Sequence, residues 1–142
     1  MKGGNTMEIK KLTTITAMRT RHGFRIAYTY STISEEGETI RRNIRGSLVV
    51  TKAMEEAAAA VKTLEDFLTA KLPEGDKTGV LTSFCVFQST EGTMITYLYD
   101  EIDANGGTAT KNNQTTMILV EGYMDDQIAA AEALRAFLKT KL

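Results

Sequence analysis

The chain has 142 residues, 42% of them apolar and 25% charged, and its 17 basic and 18 acidic side chains leave a net charge of −1. That profile fits one ordinary soluble domain or two small ones, and excludes collagen-like, disulfide-framework and highly charged disordered chains. No apolar run approaches the roughly 20 residues of a membrane helix, the leading MKGGNTMEIKK lacks the apolar core of a secretory signal, and the single Cys85 cannot form an internal disulfide, which points to a reducing cytoplasm.

Residues 9–20 are rich in Thr and Ile and predict a strand. Arg21-His22-Gly23 reads as a tight turn. Residues 24–33 then alternate, with Phe24, Ile26, Tyr28 and Tyr30 on one face and Arg25, Thr29 and Ser31 on the other, the period of a half-buried strand. Glu35-Glu36-Gly37 is a hairpin signal. A polar stretch at 38–44 and a short apolar one at 47–51 follow, as two strands or one bent strand. Met54, Ala57, Ala58, Val61, Leu64, Leu68 and Leu72 recur at three and four residues and predict a helix lying on the sheet. Thr51 is placed to cap it, with Glu55 and Glu56 near the positive end of its dipole and Lys71 near the negative end. Pro73-Glu74-Gly75-Asp76 reads as a connector.

The second half then repeats the first. Leu81-Thr82-Ser83 stands against Leu12-Thr13-Thr14, Gly92 against Gly23, Ile95 against Ile26, Tyr97 and Tyr99 against Tyr28 and Tyr30, and Gly106 against Gly37. With one residue inserted in the loop that follows, Val120 meets Val50, Met124 meets Met54, Leu134 meets Leu64, and Phe137-Leu138 meets Phe67-Leu68. Asn105-Gly106-Gly107 is a hairpin signal, and Met124, Ile128, Ala131, Leu134, Leu138 and Leu142 form a second helical stripe. The expected class is therefore α+β: a tandem duplication of an antiparallel β-β-β(-β)-α unit, related by a pseudo-twofold, with one helix packed on each sheet. Its parts are a first repeat at 1–72, a linker at 73–79 and a second repeat at 80–142. A unit that pairs with itself, like a homodimer fused into one chain, has this form.

Charge separates the halves. Residues 1–72 carry 12 basic and 8 acidic side chains, a net of about +4; residues 73–142 carry 5 and 10, about −5. The basic excess clusters at Arg19, Arg21 and Arg25 around the first turn and at Arg41, Arg42 and Arg45 in the third-strand region. Guanidinium groups at these six positions can hold phosphate or an acidic protein surface. In the second half both sheet faces read as apolar. With Ile95, Tyr97 and Tyr99 toward the helix, Met94 and Leu98 face outward, and Leu81, Cys85 and Phe87 share one face of the preceding strand. Leu81, Cys85, Phe87, Met94 and Leu98 are therefore the candidate protein interface.

The inventory for catalysis is thin. His22 is the only histidine, in a turn where the second half has Glu91, and Cys85 sits on a strand with no nucleophile signature around it. Cys85 reads as a core thiol. One His and one Cys cannot make a zinc site, and Gly106-Gly107 lacks the phosphate-loop pattern. Asp100, Glu101 and Asp103, with Asp125 and Asp126, can pair or hold a cation, and read more simply as a strand end and a helix start. No cofactor, no metal and no enzymatic activity is expected.

In the first half, Glu35-Glu36-Gly37-Glu38, Arg41-Arg42 to Arg45-Gly46, Ser47-Leu48-Val49-Val50 and the helix follow in order. This series resembles the β-β-β-β-α unit of the Whirly proteins and of the coactivator positive cofactor four. The resemblance implies single-stranded nucleic-acid binding on a sheet surface by basic and aromatic side chains, in dimers or fused repeats. Two functions are therefore expected to compete. One is a structural or protein-interaction protein that oligomerises or docks on a protein partner, of the kind found among small phage virion components and phage-encoded inhibitors, acting in the host cytoplasm or the virion. The opposite charges of its halves suit self-association, as a homo-oligomer. The other binds single-stranded nucleic acid, with the six arginines on phosphates and Tyr28 or Tyr30 on a base. Neither involves a membrane.

Overall fold

Alternation of apolar and polar residues dictates the architecture of the computed structural model, which describes residues 8–21 and 23–142. The elements are β1 (Ile9–Thr20), β2 (Gly23–Ile33), β3 (Thr39–Val49), α1 (Glu55–Thr69), β4 (Thr78–Ser89), β5 (Gly92–Ile102), β6 (Thr108–Ile118) and α2 (Asp125–Lys139). The class is α+β, as expected. The expectation of one sheet per half is corrected. All six strands form a single antiparallel sheet in the order β3-β2-β1-β4-β5-β6. β1 and β4 join the halves over Thr14–Met18, with Ile15 opposite Val86, Thr16 opposite Cys85 and Ala17 opposite Phe84. One ladder through the middle leaves no boundary at which two sheets could separate.

Both helices cover the same face of that sheet, and they cross over. The main strand contacts of α1 are with β4 and those of α2 with β1, while the two helices pack on each other. Beneath them lies one core that draws on both halves: Ile15, Ala17, Ile26 and Tyr28 from β1 and β2, Leu81, Phe84, Val86, Ile95 and Tyr97 from β4 and β5, and Ala57, Val61, Leu64, Leu68, Ala131, Leu134 and Leu138 from the helices. The helical stripes are thus the buried ones. Thr51 does not cap α1 with its side chain. The N-cap position is Met54, which has no side-chain cap, and Thr51 contributes only its backbone carbonyl, accepting from Met54 N–H. Lys71 lies beyond the last turn, where its ammonium sits 4.7 Å from the Phe67 ring.

The third strand is one strand, not two, bent at a bulge. Asn43 has φ 55° at the point where the register with β2 shifts, and Asn112 has the same φ at the same point of β6. This match also moves the inserted residue. Val50 donates to the Phe24 carbonyl and Leu119 to that of Thr93, so Val50 corresponds to Leu119 rather than Val120. The offset of 69 runs unbroken from β4 to Leu119, and the extra residue falls in the turn before α2, around Gly122 with φ 86°.

Candidate functional site: the open face of the sheet

With both helices on one side, the other side of the sheet carries no further element among the described residues. Its composition follows from the ladders. The central row across the sheet is Ser47, Ala27, Thr16, Cys85, Thr96 and Thr116, all small. One flanking row runs Arg45, Thr29, Thr14, Phe87, Met94 and Ile118; the other runs Val49, Arg25, Met18, Ser83, Leu98 and Gln114. The first half of this face is therefore threonine and arginine. The second half carries a half-buried apolar group of Cys85, Phe87, Met94, Leu98 and Ile118.

Of the five residues expected at an interface, the structure brings four together on this face. Leu81 is the exception. It is 2% exposed, in the core under the helices. A bulge at Thr82 shifts the β4–β5 register between Leu81 and Ser83, and this turns Leu81 to the face opposite Cys85 and Phe87. Cys85 is likewise corrected from a core thiol to a half-buried residue of the open face. Ile118, Met18 and Val49 also belong to this face. Only the β5–β6, β1–β4 and β2–β3 registers place them there, and no local pattern in the sequence announced them.

The six arginines do not form one patch. Arg25 and Arg45 lie on the open face, and Arg25 donates to Ser47 Oγ at 3.1 Å. Arg42 is exposed within the Asn43 bulge. Arg41 pairs with Thr32 across from the open face. Arg19 points to the helix side, where it forms an ion pair with Glu65 and lies 5.4 Å from the Phe24 ring centroid. Arg21 is in the β1–β2 turn next to His22, which falls outside the described residues. Tyr28 and Tyr30 stack on each other at 6.5 Å on the helix side, as do Tyr97 and Tyr99 at 6.2 Å. No tyrosine of β2 or β5 therefore offers a ring to the open face.

The threonine hydroxyls of the open face are largely spent on one another. Thr14 and Thr29 are 2.6 Å apart, Thr13 and Thr29 2.7 Å, and Thr96 and Thr116 2.8 Å. Cross-strand pairs of this type stabilise the sheet and leave a flat surface with few unsatisfied polar atoms. Four of the five carboxylates considered for a cation are used locally. Asp103 accepts from the Asn105 and Gly107 amides of the β5–β6 hairpin, Asp100 from the Asn112 amide, Glu101 from Thr110 Oγ1, and Asp125 from the Gly122 amide. Among the described residues no group of three or more potential ligands converges on a metal position, and no helix is long and apolar enough to cross a membrane.

Compared with known proteins, the chain matches no family model, no curated protein and no solved structure.

Proposed function

We propose that this chain is a non-enzymatic interaction protein that self-associates through the open face of its sheet, and that the tandem halves are a duplicated unit related by a pseudo-twofold through the Thr16–Cys85 pair. The observation that carries the reading is the open face itself, with Phe87, Met94 and Ile118 on one side of the central Cys85 row of its second half and Leu98 on the other. Apolar side chains grouped on one uncovered sheet face gain by being covered.

A second copy is the occupant that area and symmetry favour. Six strands at ~4.8 Å spacing and 11–12 residues long give a face on the order of 800 Å², about what one partner buries in a standard interface. Stacking two such faces about a twofold parallel to the strands lays the threonine and arginine half of each chain over the apolar half of the other. Two equivalent contacts result, which close the pair rather than open a filament. The small central row lets the sheets approach, and the larger flanking rows interdigitate.

Light scattering coupled to size exclusion tests this. The wild type should elute at twice the chain mass, and Met94→Glu with Leu98→Glu should give a folded monomer. A wild type that stays monomeric at high concentration overturns the reading. A salt-sensitive shift of a labelled single strand, lost on replacing Arg25, Arg42 and Arg45 by Gln, would put the nucleic-acid reading in its place. The position of Tyr28 and Tyr30 on the helix side weighs against that outcome, because stacking rings are then missing from the basic half.

A further inference from the structure

β1 runs past the end of β4. The β1–β4 ladder covers only Thr14–Met18, so residues 9–13 pair with β2 along one edge and leave the other edge open. The C-terminal half of α2 lies beside that open edge, and between them is a cleft of about 480 Å³, within the size range of small-molecule sites. Four cationic side chains line it, Lys10 and Lys11 from β1 and Arg135 and Lys139 from α2, and none of its lining residues is a carboxylate. Leu12 supplies an apolar wall on the same side as Lys10, while Ile33 borders the cleft from the other face of the sheet.

The corresponding place in the other half shows what this cleft lacks. There Gly79 and Val80 stand for Lys10 and Lys11, Glu65 for Arg135 and Thr69 for Lys139. Glu65 is neutralised by Arg19, whose own counterpart is Gln88. The edge of β4 is closed by the connector: the Gly79 amide donates to the Pro73 carbonyl at 2.9 Å, and a side chain at 79 would meet the Leu72 Cβ at 2.7 Å. At the β1 cleft, the ion pair is replaced by a hydrogen bond from Arg135 to Gln88 Oε1 at 3.1 Å, with Gln88 held in turn by Thr93 Oγ1 at 2.7 Å. That bond fixes the guanidinium without cancelling its charge. Lys10 rests 5.9 Å from the Tyr30 ring centroid. Lys10, Arg135 and Lys139 share the helix side of the sheet at this cleft, and three like charges there repel each other until an anion relieves them, whereas Lys11, opposite Ser31, stands on the other face.

We propose that this cleft binds a small phosphate-bearing anion, a di- or triphosphate ester, with its phosphates on Lys10, Arg135 and Lys139 and its organic part against Leu12. Arg135 offers the planar fork that suits phosphate oxygens, and the lysines add point charges. The site is separate from the open face of the sheet and stands or falls independently of it.

The test titrates the full-length chain with inorganic triphosphate and with ATP, by calorimetry and by amide and side-chain NMR shifts, at low and high salt. Saturable binding is expected for both, weakening with salt, with shifts confined to Lys10–Thr13, Gln88 and the last two turns of α2. Lys10→Ala or Arg135→Gln should each weaken it roughly fivefold, and Arg135→Glu with Lys139→Glu should abolish it. Tighter binding of ATP than of triphosphate would place the organic part on Leu12. Replacing Arg41, Arg42 and Arg45 by Gln should leave affinity unchanged. Absence of saturable binding at low salt overturns the proposal, as does binding that survives the α2 charge reversal or falls with the β3 arginines instead.

Discussion

Gly46 lies opposite Tyr28 on the helix side of the sheet, and the ring of that tyrosine covers the glycine. A Cβ built there would stand 2.7 Å from Cε2 and 2.5 Å from the phenolic oxygen, and closer still to Cζ. Gly46→Ala therefore forces the ring to move, although Tyr28 is only 9% exposed and stacks on Tyr30. Overpacking of this kind costs about 1–3 kcal/mol. Alanine recovers roughly 0.5–1 kcal/mol of the backbone entropy that glycine forfeits in a strand, so the net cost should be about 1–2 kcal/mol. For a domain of this size that is a fall of about 3–6 °C in Tm, read by thermal and urea unfolding with an unchanged m-value. The cause is checked by repeating the substitution in a Tyr28→Leu background. Without the ring, Gly46→Ala should be neutral or stabilising, and the difference between the backgrounds is the coupling energy. An equal loss in both backgrounds would refute the account, since the clash would then lie elsewhere.

Two further outcomes follow from burial. Thr32 is 3% exposed and its hydroxyl has no hydrogen-bond partner among the described residues, so Thr32→Val should raise stability by about 1 kcal/mol in a urea titration. Leu64 and Leu134 correspond in the two halves and are both fully buried in one core. Their alanine variants should each cost about 2–5 kcal/mol while unfolding remains a single transition by calorimetry; a two-step melt, with one half surviving, would contradict the shared core.

What the sequence made legible was local. The period-two run from Phe24 to Tyr30 and the helical stripes through Leu64 and Leu134 depend on residues near one another in the chain, and the structure agrees on both. The number of sheets depends on whether Thr16 meets Cys85, a pairing across 69 positions that no window of alternation can detect. Leu81 was misplaced for a smaller reason. One bulged residue at Thr82 reverses the faces of everything before it. The arginines read as two clusters along the chain, yet strand alternation and the Asn43 bulge send them to opposite faces and to a turn.

The two halves agree where they share a core and part where they meet solvent, and that division is informative about function. Under the helices, Ile26 corresponds to Ile95, Tyr28 to Tyr97, Leu64 to Leu134 and Leu68 to Leu138. Ile15 and Ala17 are exchanged for Phe84 and Val86, and these face each other in pairs across the central ladder, so the substitutions fall where the two halves meet. On the open face the correspondence breaks: Arg25 against Met94, Thr29 against Leu98, Arg45 against Gln114. It breaks again at the edge of β1, where Lys10 stands against Gly79 and Arg135 against Glu65. Core packing requires matched volume and is indifferent to surface charge. A scaffold of two like halves therefore tolerates any surface change, and nothing in its stability calls for a basic cleft at one end or an apolar group on half of one face. These asymmetries are what a partner would read, and they coincide with the two surfaces to which the proposed binding partners are assigned.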